Sequence, residues 1–124
     1  MAQAIGRPLE QVYKTLVTQG SSRAYYVCVI PVGAELDLKK AAKHFGEKKV
    51  EMIAAKDITK ITGYIKGGCS PLGMKALFPT AIDGSAEALA TIVVSAGKVG
   101  LQMEVEPKAL AALIKASFAD LQES

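Results

Sequence analysis

The hydrophobic and polar positions of this 124-residue chain follow the period of a strand in some segments and that of a helix in others. Residues 12–18 are rich in β-branched and aromatic side chains and end at a turn signal, so they predict a strand. Residues 23–32 contain a long apolar run without polar alternation, which indicates a strand covered on both faces at the centre of a sheet. Residues 91–95 and 101–105 predict a hairpin whose second strand has one solvent-exposed face.

Helical spacing marks several of the segments between these strands. Residues 38–45 have apolar side chains three and four positions apart, with Asp37 as the expected N-cap and Gly46 where a C-cap glycine is expected. Residues 54–62 predict a second short helix, and Pro107 opens a closing helix because proline fits a first helical position. The predicted apolar stripe of the closing helix consists of Leu110, Leu113, Ile114 and Leu121.

Two further strands complete the predicted fold. Residues 50–53 form a short strand, and residues 76–82 form an edge or irregular strand because Pro79 interrupts them. This succession predicts a mixed α/β (α+β) fold in one domain over residues 1–124. We expect parallel and antiparallel pairs in a curled, barrel-like sheet, with the helices packed outside it.

Composition supports one domain and excludes several classes of protein. Half of the residues are apolar, and no linker-like stretch divides the chain. The amino terminus lacks the features of a signal peptide, and no apolar run is long enough to cross a bilayer. We therefore expect a soluble cytoplasmic protein without membrane contact. With two cysteines and one histidine, we expect no disulfide framework, no metal site and no cofactor.

Positive charge is concentrated in the middle of the chain. The formal net charge is +3, but residues 39–75 carry nine lysines against three acidic residues. On the first predicted helix, Lys39, Lys40 and Lys43 lie opposite the apolar side. Such a basic surface attracts a polyanion, with an affinity that falls as salt rises. The alternative is a solvated lysine surface without a partner.

Two features could hold a ligand. Residues 63–73, GYIKGGCSPLG, contain four of the eleven glycines, and paired glycines let backbone N–H groups face a ligand oxygen. The same residues could instead form a plain turn. The strand period puts Lys14 on the same face as Val12 and Leu16, so its side chain points toward the core if that face is buried. The alternative is that the intervening side chains face the core and Lys14 is solvated.

Five stretches of the sequence together resemble the YbaK/EbsC family of aminoacyl-tRNA deacylases, which is related to the editing domain of bacterial prolyl-tRNA synthetase. The resemblance implies an α/β editing-domain fold and an enzyme that hydrolyses mischarged aminoacyl-tRNA, with cysteine on the tRNA for proline as the expected substrate. It also implies contact with the acceptor end of tRNA and an association with prolyl-tRNA synthetase. The stretches, which span essentially the whole chain in order, are residues 12–17, 38–43, 49–52, 63–73 and 94–101.

The resemblance also assigns roles to individual residues. Lys14 takes the place of the family's essential lysine, and Gly67 that of the first glycine in its Gly-x-x-x-Pro loop, so both are expected catalytic residues. The thiol of a cysteinyl substrate is expected to attack its own ester, which requires no protein nucleophile. By the same hypothesis the basic helix holds the acceptor stem through Lys39, Lys40 and Lys43. The expected substrate-binding residues are Gly68, Cys69, Ser70, Pro71, Ser95 and Gly97.

Departures from the family pattern leave alternatives open. The chain starts beyond most of the family's amino-terminal segment, so a sheet edge could be exposed and pair two copies as a homodimer. Cys69 stands where a small or aliphatic residue is usual, and Gln102 stands where some members carry an acid. The alternatives are a deacylase for alanyl- or seryl-tRNA and a non-catalytic module that binds tRNA or a synthetase.

Overall fold

The computed structural model describes residues 11–53, 57, 78–98 and 101–123. The glycine-rich residues 63–73 lie outside this part of the chain, and so does the predicted helix 54–62 except for Asp57. Among the described residues, no helix is long and apolar enough to span a bilayer. The described elements are β1 (Tyr13–Gly20), β2 (Tyr25–Pro31), α1 (Leu38–Phe45), β3 (Val50–Met52), β4 (Thr80–Asp83), a 3₁₀ helix (Gly84–Ala88), β5 (Ile92–Lys98), β6 (Leu101–Val105), α2 (Pro107–Ile114) and β7 (Ser117–Ala119).

The described strands form an open mixed sheet and a separate hairpin. Five strands lie in the order β3-β1-β2-β4-β7, and β5 pairs with β6. β1 runs antiparallel to β2 and β3, whereas β4 runs parallel to both β2 and β7. The mixed sheet, the central place of β2 and the hairpin are confirmed. The described strands do not support the barrel-like curl, because the sheet does not close. The hairpin meets the sheet at an isolated bridge between Val93 and Val12, the residue just before β1.

Both faces of the sheet are covered, which explains the unbroken apolar run of β2. On one face, Tyr13 and Val29 pack with residues of the hairpin and α2. On the other face, Cys28 and Ile30 pack with residues of α1. Residues 27–30 are each at most 1% exposed, so every position of this stretch is apolar whichever way its side chain points.

α1 forms where the sequence predicts it because the signals for its two ends are local. The carboxylate of Asp37 accepts hydrogen bonds from the backbone N–H groups of Lys39 and Lys40 at 2.9 and 3.0 Å. Gly46 has a φ of +74°, a left-handed conformation that glycine adopts at little cost, and its N–H bonds back to the last turn. The helix buries two alanines against the sheet and turns its opposite side to solvent.

The carboxyl-terminal part departs from the prediction. α2 ends at Ile114 because Lys115 adopts a left-handed conformation with a φ of 56°, and the chain continues into β7. Leu113 faces outward and is 72% exposed, whereas Leu121 belongs to the core beneath α1. The predicted apolar stripe is therefore right for Leu110 and Ile114 and wrong for the other two leucines.

β4 is an interior strand, so the edge alternative of the predicted edge or irregular strand is wrong. Pro79 lies immediately before Thr80, the first residue of the strand. Its carbonyl oxygen accepts a hydrogen bond from the backbone N–H of Val27 at 2.9 Å, which continues the pairing with β2. A proline at this position removes only its own N–H and leaves the ladder of the strand that follows intact.

Candidate functional site

Lys14 and Ser95 lie on the same face of two strands that meet. The chain at Val12 and Val93 forms a parallel bridge, and the two valine side chains pack in a small buried cluster. Lys14 and Ser95 each lie two positions beyond this bridge, so alternation places both side chains on the face of the two valines. Gln102 pairs directly with Ser95 in the hairpin and shares that face. The fold therefore brings together residues that are far apart in the sequence.

The ammonium of Lys14 has no described partner. Lys14 is half-buried, and its ammonium forms no ion pair or hydrogen bond with any residue that the structure describes. Tyr13 and Val17, on the opposite face of β1, are both 3% exposed, while Leu16 packs against the α1 core on the face of Lys14. Both alternatives from the sequence are partly right, because each face of β1 is packed. The charge of Lys14 is thus available to a ligand from a partly buried position.

The hydroxyl of Ser95 also lacks a described partner. Its oxygen is buried and forms no hydrogen bond within the described part of the chain. Leaving a buried hydroxyl unsatisfied costs about 1–3 kcal/mol, so this position favours a bound partner. Thr15 carries a second such hydroxyl, but this residue lies on the reverse face of β1, opposite Val29 in the strand register. Gly97 lies just beyond Ser95, where the pairing of β5 with β6 shifts register.

The other predicted pocket residues are not described. Their approach to Lys14 stays a prediction from the sequence. Gln102, which the sequence marked only as a departure from the family pattern, is half-buried opposite Ser95 and joins the candidate site. The pocket residues outside the described part of the chain are Gly67, Gly68, Cys69, Ser70 and Pro71.

The three lysines of α1 have different surroundings. Lys39 and Lys43 are exposed, and neither forms an ion pair with a described residue. The ammonium of Lys40 lies 2.9 Å from Asp120 Oδ2 and 2.8 Å from the backbone oxygen of Gln122. Lys40 therefore ties α1 to the carboxyl-terminal segment, and its charge is less available to a polyanion than those of the other two.

No side chain in the described ranges is arranged as an activated nucleophile. Cys28 is fully buried, and burial raises the pKa of its thiol to about 12, so it stays protonated at neutral pH. His44 Nε2 lies 2.8 Å from Ser117 Oγ, but both residues are exposed and no described carboxylate orients the imidazole. For a reaction at the face of Lys14, this arrangement favours a nucleophile from the substrate or from water.

Sequence reasoning missed a buried carboxylate. Asp83 is 2% exposed and accepts hydrogen bonds from Ser85 Oγ at 2.5 Å, the backbone N–H of Leu121 at 2.9 Å and Gln122 Nε2 at 2.7 Å. Burial acts to raise the pKa of Asp83, but the hydrogen bonds from Ser85, Gln122 and Leu121 together hold it below its ordinary value. The Asp-Gly-Ser run is an N-cap pattern that could have revealed the contact with Ser85. The contacts with the carboxyl-terminal segment leave no local signal.

Known proteins give a consistent comparison. Residues 1–113 match the family described as the aminoacyl-tRNA editing domain. The chain is 48% identical over 121 residues to a protein of Enterococcus faecalis, covering 98% of this chain and 74% of that protein. The name of that protein assigns it, provisionally, as the Cys-tRNA(Pro)/Cys-tRNA(Cys) deacylase EbsC.

A synthetase and a solved structure extend this comparison. The chain is 26% identical over 98 residues to the proline–tRNA ligase of Trichlorobacter lovleyi, covering 79% of this chain and 17% of that enzyme. It also matches the crystal structure of a provisionally assigned trans-editing enzyme for prolyl-tRNA synthetase, with a TM-score of 0.89 and 28% identity. That match covers 99% of this chain and 77% of the other, so nearly all of the present fold is shared.

Proposed function

The chain belongs to the aminoacyl-tRNA editing domain family, and we propose that it removes amino acids from mischarged tRNA, chiefly cysteine from the tRNA for proline. The observation that carries this proposal is the shared face of Lys14 and Ser95, which presents a cation and a hydroxyl without described partners. The similarity to the enterococcal protein supports the choice of cysteine. A synthetase discriminates poorly between near-isosteric amino acids by binding alone, so a second hydrolytic site is the expected remedy.

The proposed chemistry depends on charge stabilisation. During cleavage, negative charge builds on the ester carbonyl oxygen, and the ammonium of Lys14 stabilises it together with backbone N–H groups of residues 67–70. Ser95 donates its hydroxyl hydrogen to the same aminoacyl group. The thiol of the cysteinyl substrate attacks its own carbonyl carbon and forms a four-membered thiolactone as the ester C–O bond breaks, and the proton lost by the thiol passes to the released ribose oxygen. Water then opens the thiolactone to give free cysteine. The protonated, buried state of Cys28 is consistent with a nucleophile that the substrate supplies.

The proposed partners follow from charge and from the comparisons. Lys39 and Lys43 attract the tRNA acceptor stem, and Lys40 contributes less because it is engaged with Asp120. Prolyl-tRNA synthetase is the proposed source of the mischarged tRNA. The similarity to a proline–tRNA ligase, which is this synthetase, and to a trans-editing enzyme for it supports the proposal. We place the reaction in the cytoplasm, where tRNA is charged, with residues 1–124 acting as one domain. Pairing of two copies through a sheet edge stays a prediction from the sequence.

A panel of charged tRNAs tests the proposed activity. The purified chain is incubated with tRNA for proline carrying cysteine, alanine, serine or proline, and the released amino acid is measured over time. We expect cysteine to be released fastest and proline to be retained. Faster release of alanine or serine would keep the enzyme class and replace the substrate. Binding of tRNA without release of any of these amino acids would contradict the deacylase and favour a binding module.

A pair of charge reversals tests the tRNA surface. Lys43→Glu should weaken tRNA binding. It should also reduce the slope of log affinity against log salt concentration by about 0.9, the contribution of one phosphate contact. Lys108→Glu is the matched control, since Lys108 is an exposed lysine on α2. Equal losses for the two variants would show a diffuse charge effect and would argue against a specific role of α1.

A further inference from the structure

A directed chain of hydrogen bonds begins at the residue next to Lys14. The phenol oxygen of Tyr13 lies 2.7 Å from Ser85 Oγ, and Ser85 Oγ lies 2.5 Å from Asp83 Oδ2. An ionised carboxylate only accepts hydrogen bonds, so Ser85 gives its hydroxyl hydrogen to Asp83. Ser85 then has no hydrogen left for Tyr13, which makes Tyr13 the donor to Ser85. The direction of the chain is therefore fixed from Tyr13 through Ser85 to Asp83.

This chain connects two strands that are not neighbours. β2 lies between β1 and β4 in the sheet, and Tyr13 sits opposite Pro31 of β2. Pro31 has no N–H to donate, and the pairing of β2 with β4 ends two residues earlier, at Val29 and Ile82. The phenol of Tyr13 reaches Ser85, just after β4, beyond the last residue pair of the β2–β4 ladder. It supplies the cross-link that the ladder does not provide there.

Asp83, at the far end of these hydrogen bonds, is held by several donors. Besides Ser85 Oγ, the carboxylate of Asp83 accepts hydrogen bonds from the backbone N–H groups of Ser85 and Leu121, at 3.2 and 2.9 Å. Gln122 Nε2 donates to it at 2.7 Å. Because Asp83 is almost fully buried, these bonds are shielded from competing water. Tyr13 is thus attached, through the exposed Ser85, to a buried carboxylate that three further hydrogen bonds hold in place.

We infer that Tyr13 is a positioning residue for the proposed deacylation, holding β1 so that Lys14 projects beside Ser95; the inference rests on that proposed function. Adjacent strand residues point to opposite faces, so anchoring the side chain of Tyr13 fixes the backbone from which Lys14 projects. Tyr13 is 3% exposed and lies on the reverse face, so it does not touch the substrate face itself. Small displacements of a charge-stabilising group cost rate because its effect depends on geometry, whereas tRNA affinity depends on the lysine surface of α1.

The test separates position from stability. Tyr13→Phe should lower the single-turnover rate on cysteinyl-tRNA for proline about tenfold while tRNA affinity stays within about twofold. Thr18→Val is the matched control, because Thr18 is also in β1, is fully buried and donates its hydroxyl to Tyr26 O at 3.2 Å. We expect the control to lose stability but to keep its rate. Ser85→Ala should lower the rate as much as Tyr13→Phe does. Ser85→Thr keeps the hydroxyl and should therefore keep the wild-type rate.

The double variant sharpens the result. If Tyr13 and Ser85 act as one unit, the combined Tyr13→Phe and Ser85→Ala variant loses no more rate than the slower single variant. Should Tyr13→Phe fail to fold by circular dichroism, the comparison of Ser85→Ala with Ser85→Thr decides, because Ser85 is exposed. A wild-type chain that releases no amino acid would overturn both the proposed function and this inference. An active wild type with full rate in Ser85→Ala, or an equal loss of rate in Thr18→Val, would overturn this inference alone.

Discussion

The polar cluster around Asp83 and the face shared by Lys14 and Ser95 differ in how completely their groups are paired. Around Asp83, the carboxylate accepts four hydrogen bonds from three residues. At the candidate site, the Lys14 ammonium and the Ser95 hydroxyl have no partner among the described residues. A fully paired buried cluster stabilises the fold, whereas an unpaired one carries a free-energy cost that a ligand can relieve. The comparison predicts that loss of Asp83 chiefly lowers stability, whereas loss of Ser95 chiefly lowers the rate.

The largest expected effect on stability comes from breaking the paired cluster. Asp83→Ala leaves the N–H of Leu121 and the amide of Gln122 without their acceptor, so the free energy of unfolding should fall by about 3 kcal/mol. The thermal midpoint should fall by roughly 10 °C. Circular dichroism during heating and in urea measures both quantities. Asp120→Ala is the control, because Asp120 is exposed and its pair with Lys40 should contribute less than about 1 kcal/mol. Equal losses for the two variants would contradict the special role of Asp83.

The unpaired cluster should respond in the opposite way. Ser95→Ala should slow deacylation about tenfold because a hydrogen bond to the aminoacyl group is lost. Its thermal midpoint should stay the same or rise, since the variant removes a buried hydroxyl that has no described partner. Thr15→Val is the matched control on the reverse face, with the same expected effect on stability and none on the rate. A destabilised Ser95→Ala with full activity would reverse this interpretation of the two faces.

The dependence of stability on pH in acid should show the contribution of the Asp83 carboxylate. The pKa of Asp83 is held below its ordinary value in the folded chain, so its stabilising contribution is complete above the unfolded pKa of about 3.9. That contribution is lost as pH falls through the lower folded pKa. Urea unfolding between about pH 5 and pH 2 should show a smaller loss of stability in Asp83→Asn than in wild type. An identical pH dependence in both proteins would mean that Asp83 does not titrate differently in the folded state.

Glu47 provides a weaker version of the same test. Hydrogen bonds from Ser22 and Tyr26 hold its pKa below the ordinary value, so its contribution also fades as pH falls. These bonds lie at the surface, where solvent competes with them. We expect Glu47→Gln to flatten the acid dependence less than Asp83→Asn does in the same urea series. A larger effect of Glu47→Gln would show that burial does not determine how strongly each carboxylate contributes to the acid dependence of stability.

The smallest expected effect on rate belongs to Cys28. Cys28→Ala should keep the deacylation rate within about twofold, because a thiol with a pKa near 12 supplies almost no thiolate at neutral pH. It should lower the free energy of unfolding by about 1 kcal/mol through the small cavity that it leaves. Single-turnover rates and urea unfolding measure the two effects. A large loss of rate in a folded Cys28→Ala variant would contradict a nucleophile supplied by the substrate.

Local signals made much of the fold predictable. The ends of α1 were correct because Asp37 and Gly46 act on residues within one turn of themselves. β2 was placed at the centre of the sheet because burial on both faces leaves a continuous apolar run. β7 was missed because it is three residues long and its pairing with β4 depends on contacts far along the chain. The early end of α2 was missed because Lys115, a residue without turn preference, takes the left-handed conformation there.

The candidate site was predictable in its residue types more than in its geometry. Ser95 was singled out by resemblance, and Lys14 by both resemblance and the period of its strand. The bridge between Val12 and Val93 that brings their strands together has no local sequence signal. The role of Lys40 could not be read from the helix alone, since its partners lie in the carboxyl-terminal segment. Patterns within a strand or helix predict which side a residue faces, and only the folded chain determines what it meets there.

The most direct measurement is the single-turnover rate of Lys14→Ala on cysteinyl-tRNA for proline, with thermal unfolding measured on the same samples. Lys43→Ala serves as a control for lost charge, because its effect should fall on tRNA affinity. We predict that Lys14→Ala lowers the rate at saturating protein by about 100-fold or more, with an unchanged thermal midpoint. A rate within about twofold of wild type, in a folded variant, would contradict the proposal that the face shared by Lys14 and Ser95 is the hydrolytic site.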